Sequence, residues 1–161
     1  MGECSRSHDA IVQIKVKLLG VSTPPVWRRL QLRGGTRLDH LHELLVAAFG
    51  WKDYHMHCFS SGPDEFGVPD PELGYTDERH VTLGELIGGG GVGDRFGYTY
   101  DFGDDWQHEI FVEALLDPDP ETHYPVLVAG KGACPPEGGL DPLTHSCWTS
   151  PGFGFGLGRC A

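Results

Sequence analysis

Two histidines set one residue apart, His55 and His57, are the sharpest chemical feature of the sequence. On a short strand over 54–59 (YHMHCF) they share a face with Phe59. Their Cα atoms then stand about 7 Å apart, from a rise of roughly 3.3–3.4 Å per residue. Imidazoles so placed can turn their nitrogens onto one metal ion when a third ligand arrives. Asp101, Asp104, His108 and Cys134 have the right chemistry for that role. Asp101 is preferred, because a carboxylate beside a histidine can also orient it; His108 ranks below it. The ion would be single and divalent (zinc, manganese or iron), although the sequence establishes no cofactor. Against this, H-x-H is short and common, and ordinary packing or surface histidines account for it more simply.

Other candidates weigh less. His108 falls on the predicted core face with Trp106 and Ile110, where an imidazole bonded to Tyr100 or to a backbone carbonyl is expected. Asp104 and Asp105 sit in a turn, where Asp readily makes local hydrogen bonds. Asp101-Phe102-Gly103 invites a protein-kinase reading, which fails because the catalytic-loop motif and the strand lysine are missing. Gly88, Gly90 and Gly93 match G-x-G-x-x-G in spacing, but no strand precedes them and no helix follows. Cys134 has no local histidine and is expected to pack under Pro135-Pro136. Trp27, Arg28, Arg29 and Arg33 form the one basic stretch with an aromatic, with Arg37 as a candidate extension. Trp27, Arg29 and Arg33 share a strand face that would suit a single-stranded nucleic acid. A solvated face whose Arg stems cover Trp27 is the preferred reading.

The elements that must position these residues follow from pattern. Residues 11–18 (IVQIKVKL) alternate, with Val12, Ile14, Val16 and Leu18 on one face, as a half-buried strand does. Residues 26–33 (VWRRLQLR) read as its antiparallel partner. Thr36 opens a helix with Asp39 three residues on. Leu38, Leu41, Leu45, Ala48 and Phe49 line one face, with His42 on its edge and His40 pointing away, and Gly50 stops it. A Pro-, Gly- and Asp-rich loop runs to about residue 79. Thr82 caps a short helix over 82–87. Residues 96–102 and 106–116 form a hairpin whose three-residue loop would set Tyr100 opposite His108 and Tyr98 opposite Ile110. A last strand spans 124–129. The order predicts an α+β fold: one domain with a mostly antiparallel sheet packed against one main helix (38–49), plus the short helix near 82–87.

In this arrangement the chain resembles the plasmid pRiA4b ORF-3-like family, some of whose members are insertion-element passenger proteins of the TnpR type. The resemblance rests on Pro25-Val26-Trp27-Arg28-Arg29 and on the helix 38–49 running into Gly50-Trp51. It rests also on His55-x-His57-x-Phe59, on Tyr98-x-Tyr100-Asp101-Phe102-Gly103-Asp104-x-Trp106-x-His108, and on Cys134-Pro135-Pro136-Glu137. It implies an α+β fold and a link to mobile elements, and no activity. Trp27, Arg28, Arg29, Trp106 and Glu137 lie in the matching segments and are the expected binding residues. The family continues Pro-Pro-Glu with Asp and a helix, whereas here Gly138-Gly139 follow directly. Residues 1–139 are therefore expected to form the family domain, and 140–161 a Gly-rich, poorly ordered tail.

Composition bounds the function. The 161 residues are one ordinary domain's worth, 39% hydrophobic and 22% charged. Twelve basic against 23 acidic residues give a net charge of −11, which on average repels phosphate backbones. Five widely spaced cysteines with no C-x-x-C argue against a disulfide framework or zinc ribbon. No apolar run approaches the ~20 residues that span a bilayer, and the polar first ten residues do not read as a signal peptide. A cytoplasmic protein without membrane contact is expected. With no complete catalytic motif, the leading expectation is a non-enzymatic accessory module that binds a protein partner. The alternative is a metal-dependent hydrolase using His55, His57 and Asp101. A further alternative is a nucleic-acid-binding factor linked to transposition or recombination.

Overall fold

Residues 9–88 and 91–135 are described by the computed structural model of the chain. Cys4, Glu137, Cys147, Cys160 and the expected tail 140–161 lie outside them.

The first two strands form where the alternation is cleanest. β1 (Ile11–Ser22) buries Val12, Ile14, Val16 and Leu18 completely. β2 (Pro25–Arg33) pairs with it antiparallel, with Lys15 opposite Arg29 and Lys17 opposite Trp27. α1 (Leu38–Phe49) turns Leu38, Leu41, Leu45 and Phe49 into the same core and ends at Gly50, whose positive φ of 78° suits a residue without a Cβ. β3 (His57–Ser61), β4 (Asp64–Gly67) and β5 (Thr76–Asp77) follow, then a 3₁₀ turn (Glu78–His80) and α2 (Leu83–Ile87). β6 (Arg95–Tyr100), β7 (Trp106–Leu116) and β8 (Val126–Lys131) complete one sheet in the order β5-β4-β3-β6-β7-β1-β2-β8.

The α+β expectation of a mostly antiparallel sheet on one main helix is corrected. Strand makes up 46% of the structure and helix 17%, and the eight-stranded sheet is mixed, since β4 and β5 run parallel. Two α-helices stand among the described residues, and the nearest backbone neighbour of α1 is the 3₁₀ turn, not a strand. The sheet gained strands where no alternation advertised them: DEFG in β4 and the dipeptide of β5 carry turn-forming residues. No described helix is long and apolar enough to cross a membrane.

Two local expectations are also revised. The N-cap of α1 is Arg37, with no side-chain cap bond, and the Leu38 N–H donates to the Val81 carbonyl instead. The Thr82 cap of α2 does form, as a capping box with Glu85. In the β6–β7 hairpin Tyr100 pairs with Trp106 and Tyr98 with His108, around a five-residue loop. Asp101 and Asp105 hold that loop with positive φ of 60° and 55°. The register thus slips by two residues. A slip of two keeps every side chain on its face, so Trp106, His108 and Ile110 still point into the core.

Candidate metal centre

His42 reaches the centre from the edge of the α1 stripe and is 5% exposed. Beside it lies His57, the first residue of β3, 8% exposed. Their rings stack face to face, with centroids 3.4 Å apart and planes 7° from parallel. Each imidazole has a carboxylate at its Nε2. Asp53 Oδ1 stands 2.7 Å from that of His42, and Glu78 Oε2 stands 2.8 Å from that of His57. Four separate segments therefore converge: α1, the loop after it, β3 and the 3₁₀ turn.

The surrounding residues fix this geometry. Tyr98 on β6 places its hydroxyl 2.8 Å from His42 Nδ1, so both ring nitrogens of His42 are engaged. The Tyr100 hydroxyl, one pleat along, accepts from the Tyr54 N–H and ties down the loop that carries Asp53. Asp53 itself holds a left-handed conformation with φ 61°, which Asp tolerates better than most residues. Burial, reinforced by the neighbouring His57, pushes the His42 pKa below its ordinary value, with Asp53 pulling the other way. A neutral imidazole is what a metal ion requires. Burial drives the Tyr98 hydroxyl far up, so it stays protonated and can serve His42 as donor or acceptor.

One ligand-type atom from each of His42, Asp53 and His57 lies within 4.8 Å of the others. Two imidazoles and a carboxylate are a common donor set for zinc and similar divalent ions. Asp53 is half exposed while both histidines are buried, so the cluster is closed behind and open toward solvent.

The residues expected from sequence are divided. His57 belongs to the cluster. His55 precedes β3, stands edge-on to Tyr100 and lies 3.5 Å from Asp101 Oδ2, so it pairs with the carboxylate predicted beside it but not with His57. Asp101 is 7% exposed and its Oδ1 accepts from the Gly103 and Asp104 N–H groups, which makes it the organiser of the hairpin loop. His108 is 1% exposed, with Nδ1 at the Tyr98 backbone carbonyl and Nε2 unpartnered among the described residues. The sequence reading missed Asp53 and Glu78. His42 was seen on the edge of its helix stripe, a signal that could have been joined to the H-x-H strand.

The expected binding residues also separate. Trp27 and Arg29 stand on the outer sheet face, with the Arg29 guanidinium over the Trp27 ring and bonded to Glu113 at 2.6 and 2.9 Å. Arg28 points the other way and donates to the carbonyls of Ala48, Trp27 and Lys131. Trp106 is buried, stacked on Trp51. Cys134 is buried and its thiol meets the Phe49 carbonyl. Burial raises the Cys58 thiol pKa, which keeps it unreactive.

A single mixed sheet carrying a buried histidine pair with two carboxylates defines a β-rich protein with a candidate metal centre. The sequence profile of the plasmid pRiA4b ORF-3-like proteins matches residues 10–142, and the chain belongs to that family. It is 40% identical over 130 residues to the uncharacterized protein y4hQ of Sinorhizobium fredii, covering 80% of this chain and 66% of that one. The chain thus spans just under two thirds of that relative. The crystal structure of a protein of unknown function from Methanosarcina mazei Go1 is similar with a TM-score of 0.70 and 31% identity. That likeness covers 80% of this chain and 72% of the other.

Proposed function

We propose that the protein binds one divalent metal ion between His42, His57 and Asp53. The observation that carries this is the convergence of three ligand atoms within 4.8 Å on two buried, mutually stacked imidazoles. Burial and the adjacent His57 ring disfavour a proton on His42, and a shared cation would neutralise the two flanking carboxylates instead. On binding, His42 would give up its bond to Asp53 and coordinate through Nε2, leaving Nδ1–H to donate to the Tyr98 oxygen. Glu78 would hold His57 as a carboxylate holds a ligand histidine. Three protein donors with a solvent-facing side also favour a second reading, metal-dependent hydrolysis, because such sites keep a position for water.

The test is metal content. The full chain, stripped with chelator and titrated with zinc or manganese, is expected to take up about one equivalent. His42→Ala and His57→Ala should each lose it, while His55→Ala should retain it. Uptake that survives His42→Ala, or no uptake by the parent, overturns the proposal. Loss with His55→Ala but not His42→Ala would return the site to the H-x-H strand.

A further inference from the structure

The side of the sheet turned away from α1 has an unexpected charge. Along β6-β7-β1-β2-β8 it presents Arg95, Lys15, Lys17, Arg29, Arg33 and Lys131, with Glu109 and Glu113 as the acidic side chains of the same strands and face. On these five strands six of the chain's 12 basic residues thus meet two acidic ones, and Glu65 of β4, opposite Ser60, adds a third on the same face beyond them. The average repulsion implied by the net charge does not apply there. Lys17, Arg33, Arg95 and Lys131 are exposed. Two partly exposed rings lie among them: Phe111 beside Arg95, and Trp27 beneath Lys15 and Arg29. At the β3 side the face sinks into a recess of about 380 Å³, whose lining includes Ser60, Arg95, Gly97, Thr99 and Gln107. It stays open because Gly97 has no side chain; a Cβ there would meet Ser60 Oγ at 2.5 Å.

We propose that this face binds single-stranded nucleic acid. Lys15, Lys17, Arg33 and Lys131 would take successive phosphates; Trp27 would stack a base once Lys15, now over its ring, turns to phosphate, and Phe111 would offer a second ring beside Arg95. A cationic sheet with interspersed rings is how single strands are held without sequence readout. Arg29 is held by Glu113 and supports Trp27 without reaching for phosphate. The face is independent of the His42 cluster, which opens on the other side of the sheet.

The experiment is anisotropy of a labelled oligothymidylate of about 20 nucleotides with the full chain, in chelator, across a salt series. Binding at low salt is expected, with log affinity falling against log salt at a slope of about −3 for four phosphate contacts. Lys15→Glu/Lys17→Glu/Lys131→Glu should weaken binding at least about tenfold and flatten the slope to about −1. Trp27→Ala should weaken it about fivefold or more with the slope unchanged. Circular dichroism checks that the variants stay folded. No binding at low salt, or full affinity in the charge-reversal variant, overturns the proposal. Competition by polyglutamate as strong as by the oligonucleotide overturns it in favour of an acidic protein partner, and stronger competition by duplex DNA overturns the single-strand assignment.

Discussion

His108 shows what burial does to one titratable side chain. Its Nδ1–H donates to the Tyr98 carbonyl, and its bare Nε2 would gain a proton with no partner among the described residues. Burial accordingly holds its pKa down to about 4, against about 6.5 for a free imidazole. Between these values the unfolded chain binds a proton that the folded chain refuses. Stability is therefore full above about pH 6.5 and declines as pH falls toward 4, by up to about 3 kcal/mol. His42 is lowered in the same direction and adds to the same window. Carboxylates held low by partners, such as Glu113 beside Arg29, lose their contribution as pH falls through their ordinary value near 4.5 and below, at the acid end of this window. Urea unfolding from pH 4 to 7 should show this decline, and His108→Asn, whose amide nitrogen stands where Nδ1 stands and keeps a donor for the carbonyl, should flatten it. An unchanged slope in that variant would remove His108 as its source.

At the scale of elements, the end of α1 is anchored by chemistry that sequence pattern does not display. Arg28 projects from β2 on the α1 side of the sheet, donates through Nε to the Ala48 carbonyl at 2.8 Å, and lies over the Phe49 ring. Its Nη1 also bonds the carbonyls of Trp27 and Lys131, so it joins β2, β8 and α1. Gly130 gives it passage, since a Cβ there would stand 2.9 Å from Arg28 Cδ. Arg28→Ala is expected to cost about 2–3 kcal/mol in denaturant unfolding, because carbonyls bonded to a cation lose their donor. Arg28→Lys should recover only part, as one ammonium cannot span the same acceptors. The sequence placed Arg28 with Trp27 and Arg29 as a basic stretch, and only the strand alternation separates them. That alternation made β1, β2 and the core face of β7 legible. It could not reveal β4 or β5, whose residues are those of turns. It also could not bring Asp53 or Glu78 to the histidines, because their approach depends on α1 and the 3₁₀ turn packing together and on β3 pairing with β6, contacts that no local spacing encodes. His42 was half legible: its position on the helix wheel was right, but what its ring faces is set by a strand 15 residues later.

At the scale of the molecule, the centre couples segments that otherwise meet only through packing. A metal bound there cross-links α1, the following loop and β3 in the folded state alone, so it must stabilise folding by mass action. At free metal about 100 times the dissociation constant the gain is about 2.7 kcal/mol. For a chain of this length that corresponds to a rise in Tm of roughly 5–11 °C. Differential scanning calorimetry of the chelator-stripped chain with and without zinc measures it. A charge of −11 complicates the comparison, because any divalent cation relieves some repulsion among surface carboxylates. The two contributions separate cleanly. Relief of surface repulsion should be supplied equally by magnesium, weaken with added sodium chloride and persist in His42→Ala. Stabilisation through the histidine pair should be specific to ions that favour imidazole, persist in salt and vanish in His42→Ala. Equal stabilisation of parent and variant by zinc would assign the whole effect to surface charge and leave the stacked histidines as a purely structural pair.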